Sequence, residues 1–132
     1  MPDFEVRTRE RVVFVDITTQ VAAEAARSGV RDGVVVVYVP HTTAGVTINE
    51  NADPSVRADM KLALDRMVPE SLPFTHFEGN AGAHVKASLM GSSVTVPLAD
   101  GRLHLGTWQG VYFAEFDGPR RRRVLVSVLA AR

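Results

Sequence analysis

The amino-acid sequence predicts an α+β domain of mostly antiparallel strands with two to three helices. Three observations predict it. Short apolar runs with strand character recur along the chain, and several are joined by tight-turn residues such as Asp100-Gly101 and Asp117-Gly118-Pro119. Helical composition or spacing is confined to a few segments, the strongest opening at Asp53-Pro54. The chain has 132 residues, 45% hydrophobic and 23% charged, which suits one domain over 1–132 with a real core.

Residues 4–9 alternate apolar and polar side chains, and 11–17 do so less cleanly, so both predict strands. Thr18-Thr19 offers an N-cap for an alanine-rich helix over 20–28, with Gly29 placed to stop it. The β-branched run 34–39 suits a strand buried on both faces, and Pro40 ends it just before His41. Strand character resumes at 46–48. Asp53 then caps a helix with Pro54 in its first turn, and Val56, Met60, Leu64 and Met67 recur on one face as far as Val68. Pro69 and Pro73 bracket a loop, and 83–90 predicts a short helix stopped by Gly91. Strands follow over 94–98 and 102–105, joined at Asp100-Gly101, and then over 108–116 and 123–129. The arginine run 120–123 reads as a solvated turn entering an edge strand, and the apolar last strand as a candidate for pairing across subunits.

Charge and composition exclude several classes. Lys plus Arg and Asp plus Glu are both 15, so no net field draws nucleic acid or an anionic membrane. The absence of cysteine rules out disulfides and a thiolate zinc site. The start Met1-Pro2-Asp3-Phe4-Glu5 lacks a basic and an apolar region, and no apolar run approaches the roughly 20 residues that span a bilayer. A cytoplasmic protein without membrane or nucleic-acid partners is the expectation.

The histidines carry the chemistry. His41 opens His-Thr-Thr-Ala-Gly, while His76 and His84 bracket the flexible Glu78-Gly79-Asn80-Ala81-Gly82. Three imidazoles suit Zn²⁺ and leave a coordination position for water or substrate, so His41, His76 and His84 are the candidate metal ligands. The spacing differs from the helical two-histidine zinc motif. The hydroxyls of Thr42 and Thr43 can fix an imidazole or bind an anion, and Lys86 and Ser88 are candidate phosphate contacts. Glu50 and Asn51 exceed what capping requires, whereas Asp53 is explained as a cap. Trp108, beside Gln109 and flanked by glycines, is either core or a stacking face for a heteroaromatic ring. Arg120 is the arginine placed to reach a phosphate, with 121–123 at the surface; His104 reads as structural or exposed.

The ordered set is more specific than its parts. His-Thr-Thr-Ala-Gly, then Ile48-Asn49-Glu50-Asn51-Ala52-Asp53-Pro54, His76-x-x-Glu-Gly-Asn80, Ala83-His84-x-Lys86-x-Ser88-Leu89-x-Gly91 and Gly-Thr-Trp108-Gln109-Gly resemble the YjbQ family, also called secondary thiamine-phosphate synthase proteins. The resemblance covers nearly the whole chain. It implies a compact fold of β-sandwich type, a homotrimer, and a cleft near the subunit interface lined by His41, His76 and His84. Some members carry Asp where this chain has Asn80, and His104 lies outside the motif.

The implied activity is a weak condensation of hydroxymethylpyrimidine diphosphate with a thiazole phosphate. On that reading Lys86, Arg120, Thr42 and Thr43 stabilise the departing pyrophosphate, Trp108 stacks the rings, and Asn51, Asn80, Ser88 and Gln109 bind substrate. Zn²⁺ is the expected ion, with Mg²⁺ arriving on the substrate diphosphate; three imidazoles are softer than the ligands Mg²⁺ prefers. An alternative keeps the site and makes the protein a metal-dependent hydrolase or lyase of a small phosphorylated metabolite, with Glu50 as base beside His41 and His84. A third reading is a non-catalytic trimer that binds a metal or metabolite.

Overall fold

The computed structural model describes residues 2–132. The element order is β1 (Asp3–Arg7), β2 (Val13–Asp16), α1 (Thr18–Ser28), β3 (Gly33–Tyr38), β4 (Ala44–Glu50), α2 (Pro54–Met67), α3 (Ala81–Met90), β5 (Ser93–Ala99), β6 (Arg102–Leu103), β7 (Gln109–Glu115) and β8 (Arg121–Ala130). All pairing is antiparallel, in a five-stranded sheet ordered β1-β8-β3-β5-β6 and a three-stranded sheet ordered β2-β7-β4. The expectation of an α+β fold with antiparallel sheets and two to three helices is therefore met, with three helices.

Alternation along β7 shows how the layers stack. Val111 and Phe113 point between the sheets and meet Val35, Val37, Val96, Val124 and Val126 of the larger one. Tyr112, Ala114 and Phe116 point the other way and, with Phe14, pack against Ala83 and Ala87 of α3 and against Met60 and Leu64 of α2. Val21 and Ala25 of α1 join the inter-sheet core. Asp53 caps α2 through the Ser55 amide, as the sequence predicts, and the β5–β6 turn has positive φ at both Asp100 and Gly101, as a two-residue hairpin turn requires. The Thr18 expectation needs correction. Thr18 lies inside α1, and its hydroxyl donates to Asp16 and accepts the Val111 amide instead of capping the helix.

Two further expectations are corrected. The last strand is not an edge. At ten residues β8 is long enough to pair its first half with β1 and its second half with β3, the two registers meeting at Leu125. The run 34–39 is covered on one face only: Val35 and Val37 are buried, Val34 and Val36 half-buried, and Tyr38 exposed. On that outer face Tyr38 and Leu129 are exposed.

Alternation also carries two charges into the core. Glu115 continues the inward parity of Val111 and Phe113, and Arg122 that of Val124 and Val126; their side chains are 0% and 3% exposed. Glu115 Oε1 accepts from Arg122 Nε at 2.8 Å and Thr8 Oγ1 at 2.7 Å, and Oε2 accepts from the Asp117 amide at 3.0 Å and from Arg122 Nη2. Arg122 Nη2 also donates to Thr43 Oγ1 at 2.8 Å. Removing one partner strands the other charge, so Arg122→Met is expected to cost about 3–5 kcal/mol. Arg122→Met with Glu115→Leu should recover most of that loss in urea unfolding, since no buried charge is then left over. Equal destabilisation by the single and double replacements would contradict this account.

Candidate functional site

The site begins where β3 leaves its sheet. The β3–β8 register would place Pro40 opposite Arg123, but proline has no N–H with which to continue the ladder. The chain turns away, and the amide of Arg123 donates instead to Nε2 of His41 at 2.9 Å. Burial, then the positive charge of Arg122, holds the His41 imidazole below its ordinary pKa, so the ring is kept neutral.

His84 and Ser88 stand one turn apart on α3 and face the same cavity as His41 and Thr42, a space of 510 Å³ also lined by Gly91 and Ser92. None of its lining residues is a carboxylate. Gly45 makes this convergence possible. A Cβ there would lie 2.5 Å from the carbonyl oxygen of Gly91, and the Val46 amide donates to that same oxygen. The end of α3 is thereby seated on β4. On the far side of His84 the ring of His76 packs edge-on, with centroids 5.1 Å apart.

His84 thus packs on His76 and shares a cavity with His41, but the three do not form a ligand set among the described residues. His76 lines an adjoining cavity rather than the one shared by His41 and His84. The His41 Nε2 lone pair is engaged by Arg123. Among the described residues no group of three or more His, Cys, Asp or Glu side chains is placed to hold a metal ion.

The other predicted residues distribute elsewhere. Glu50 ends β4, six residues beyond Ala44, or about 20 Å along the strand, so it does not reach water held by His41 and His84 of the same chain. There it accepts the Ala52 amide. At the same end Asn51 donates to the Gln109 carbonyl, Gln109 accepts the Gly106 amide, and Trp108 is 63% exposed rather than core. Lys86 lies on the opposite side of α3 from His84 and Ser88, buried in an ion pair with Asp65 at 2.6 Å. Thr43 is buried beneath Arg122. Asn80 Nδ2 and Arg120 both donate to Asp117, so Arg120 is tied to its own turn; Asn80 Oδ1 is buried without a hydrogen-bond partner among the described residues. His104 is exposed.

Glu115 and Arg122 were not legible as site residues when the arginine run was read by composition. The signal lay in period-two alternation, which puts both on the core face.

A family model described as "UPF0047 protein YjbQ-like" matches residues 2–131. A UPF0047 protein of Methanocaldococcus jannaschii is 52% identical over 126 residues, covering 96% of this chain and 91% of the relative. YugU of Bacillus subtilis is 47% identical over 126 residues, covering 95% and 96%. A crystal structure of a YjbQ/UPF0047 protein from Clostridium acetobutylicum superposes with TM-score 0.96 at 50% identity, covering 98% of this chain and all of that one. A protein of unknown function from Sulfolobus solfataricus gives 0.94 at 32% identity, covering 98% and 96%.

Two measurements test the site's construction. Gly45→Ala should push the end of α3 off β4, lowering stability by about 1–3 kcal/mol and separating His84 from His41. An unchanged melting temperature would refute the close approach. The second concerns acid. Burial alone would raise the Glu115 carboxyl, but hydrogen bonds from Arg122, Thr8 and the Asp117 amide outweigh it and hold it below its ordinary 4.5. Its charge therefore stabilises the fold above 4.5, and that contribution is lost as pH falls through the lower folded-state value. His41, lowered from 6.5, acts in the same direction, because the unfolded chain takes up its proton first. Stability should decline on acidification below about 6.5 and again below about 4.5; a stability that rises over that range would exclude these assignments.

Proposed function

We propose, for a chain that belongs to the UPF0047 protein YjbQ-like family, that the cavity between His41 and His84 binds and turns over a small phosphorylated metabolite. The observation that carries this reading is the cavity's lining: two imidazoles with the hydroxyls of Thr42, Ser88 and Ser92, and no carboxylate. Such a surface offers hydrogen-bond donors to an oxyanion and repels none of its charge. Mg²⁺, which prefers carboxylate oxygens, would enter only on a substrate diphosphate.

The reaction proposed is the thiamine-phosphate-synthase-like condensation. The bond between the pyrimidine methylene carbon and the diphosphate oxygen breaks, the thiazole nitrogen forms the new C–N bond, and pyrophosphate leaves. Donors aimed at the departing pyrophosphate stabilise the charge that develops on it. His41 and His84 supply those donors, and Thr42 orients the group; the Ser88 hydroxyl, which donates to the His84 carbonyl at 3.1 Å, turns from it to join them. No step is routed through Zn²⁺, because three ligands for it are not gathered among the described residues. The hydrolytic alternative is less well supported, since Glu50 lies at the other end of β4.

The homotrimer is part of the same proposal. The outer face of the larger sheet carries Val34, Val36, Tyr38, Leu125 and Leu129 on adjacent strands, and Tyr38 and Leu129 are among the exposed large hydrophobics. A β-branched central strand with an open apolar face suits burial against another copy. No helix among the described residues is long and apolar enough to cross a membrane, and a cytoplasmic location accompanies the small-metabolite role.

Purified protein supplied with both substrates should release pyrophosphate and form thiamine phosphate. His84→Ala should lower that rate by about 10²–10³-fold, the range for loss of one oxyanion donor, while His104→Ala leaves it unchanged. Equal rates for the His84 and His104 variants would refute the site. Light scattering should report a trimer, and Val36→Asp should dissociate it; a monomer in the unaltered protein would overturn the assembly.

A further inference from the structure

His41 is the imidazole whose two nitrogens the fold already distinguishes. The Arg123 main-chain N–H can only donate, so the Nε2 it meets at 2.9 Å must present a bare lone pair. A neutral imidazole carries one ring proton, which is then on Nδ1. His84, by contrast, makes a ring contact with His76 and no side-chain hydrogen bond among the described residues, so nothing in the chain selects its tautomer.

Placement gives the bound proton a direction. His41 lines two cavities. One includes Arg121, Arg122 and Arg123 of β8, the last being the residue whose amide meets Nε2; the other holds His84, Thr42 and Ser88 and contains no β8 residue. The two nitrogens of an imidazole are separated by a ring carbon and project in widely divergent directions, so a partner on Nε2 leaves Nδ1 facing elsewhere.

We infer that His41 is a tautomer-fixed hydrogen-bond donor, presenting Nδ1–H to a phosphate oxygen in the cavity it shares with His84, with the Arg123 amide as the positioning group. The inference rests on the reading of that cavity as a phosphate site and assigns His41 its atom and role. It also has a consequence for metals. Ligation through Nδ1 would require the proton to move to Nε2, where it would oppose the Arg123 N–H. The hydrogen bond and metal ligation by His41 are mutually exclusive.

Long-range ¹H–¹⁵N correlation spectra of the ¹⁵N-labelled full chain test this without any substitution. At neutral pH His41 should show a protonated Nδ1 and an unprotonated Nε2. Inorganic phosphate should then shift His41 Nδ1 together with the Ser88 amide. Zn²⁺ given in place of phosphate should leave both His41 nitrogens unmoved. Observation of the Nε2–H form, or of Zn²⁺ on His41, overturns the inference while leaving a phosphate shift at Ser88 free to support the cavity reading. Failure of phosphate to move any resonance of the cavity overturns that reading and the role of His41 with it. Two variants separate the nitrogens. The amide of Asn can stand near the position of Nδ1 and that of Gln near Nε2, so His41→Gln should weaken phosphate binding about tenfold, as loss of one charge-assisted hydrogen bond does. His41→Asn should weaken it less. The reverse order would overturn the assignment.

Discussion

The ion pair between Glu115 and Arg122 is the constraint on which the rest of this structure depends. It lies between the two sheets, with one charge on each, and it is buried nearly completely. Two such ions leave water at a cost of several kcal/mol each unless every lone pair and proton finds a partner. Here both carboxylate oxygens are doubly engaged, and the guanidinium reaches Thr43 as well. The partners come from β7, β8, the segment after β1 and the segment after β3. A single desolvated pair therefore sets the positions of four parts of the chain that are remote in sequence.

That arrangement reaches the histidines directly. Thr43 is held by Arg122 two residues after His41, and the neighbouring amide of Arg123 holds His41 itself. Local packing completes the pocket from the other side, where Gly45 lets the end of α3 come down on β4 and brings His84 and Ser88 with it. The cavity is thus built from a strand exit and a helix face, both seated on the smaller sheet or its charged core. Its walls supply donors and no carboxylate, which is the chemistry of oxyanion recognition.

The motif residues separate into two groups at opposite ends of β4. His41, Thr42, His84 and Ser88 share one end, with His76 against His84; Glu50, Asn51, Trp108 and Gln109 share the other. Sequence order had suggested one site, because the strings follow one another closely along the chain. A strand of seven residues is enough to hold them about 20 Å apart.

Much of the fold was determined by the sequence itself. Asp53-Pro54, Gly29 and Asp100-Gly101 act through neighbours a few residues away, so their helix start, helix stop and hairpin turn follow from local chemistry. The strands and helices were legible for the same reason, and so was the order of the motifs that marks the family. Which side chains meet was decided only by the tertiary structure. Lys86 faces Asp65 rather than the histidines, Thr43 lies under Arg122, and β8 is central rather than an edge, because each outcome depends on strand pairing and helix seating between distant segments. The burial of Glu115 and Arg122 stands between the two cases. Alternation marks their parity, but only the pairing of two sheets makes that face an interior and turns a solvated charge run into the buried centre of the molecule.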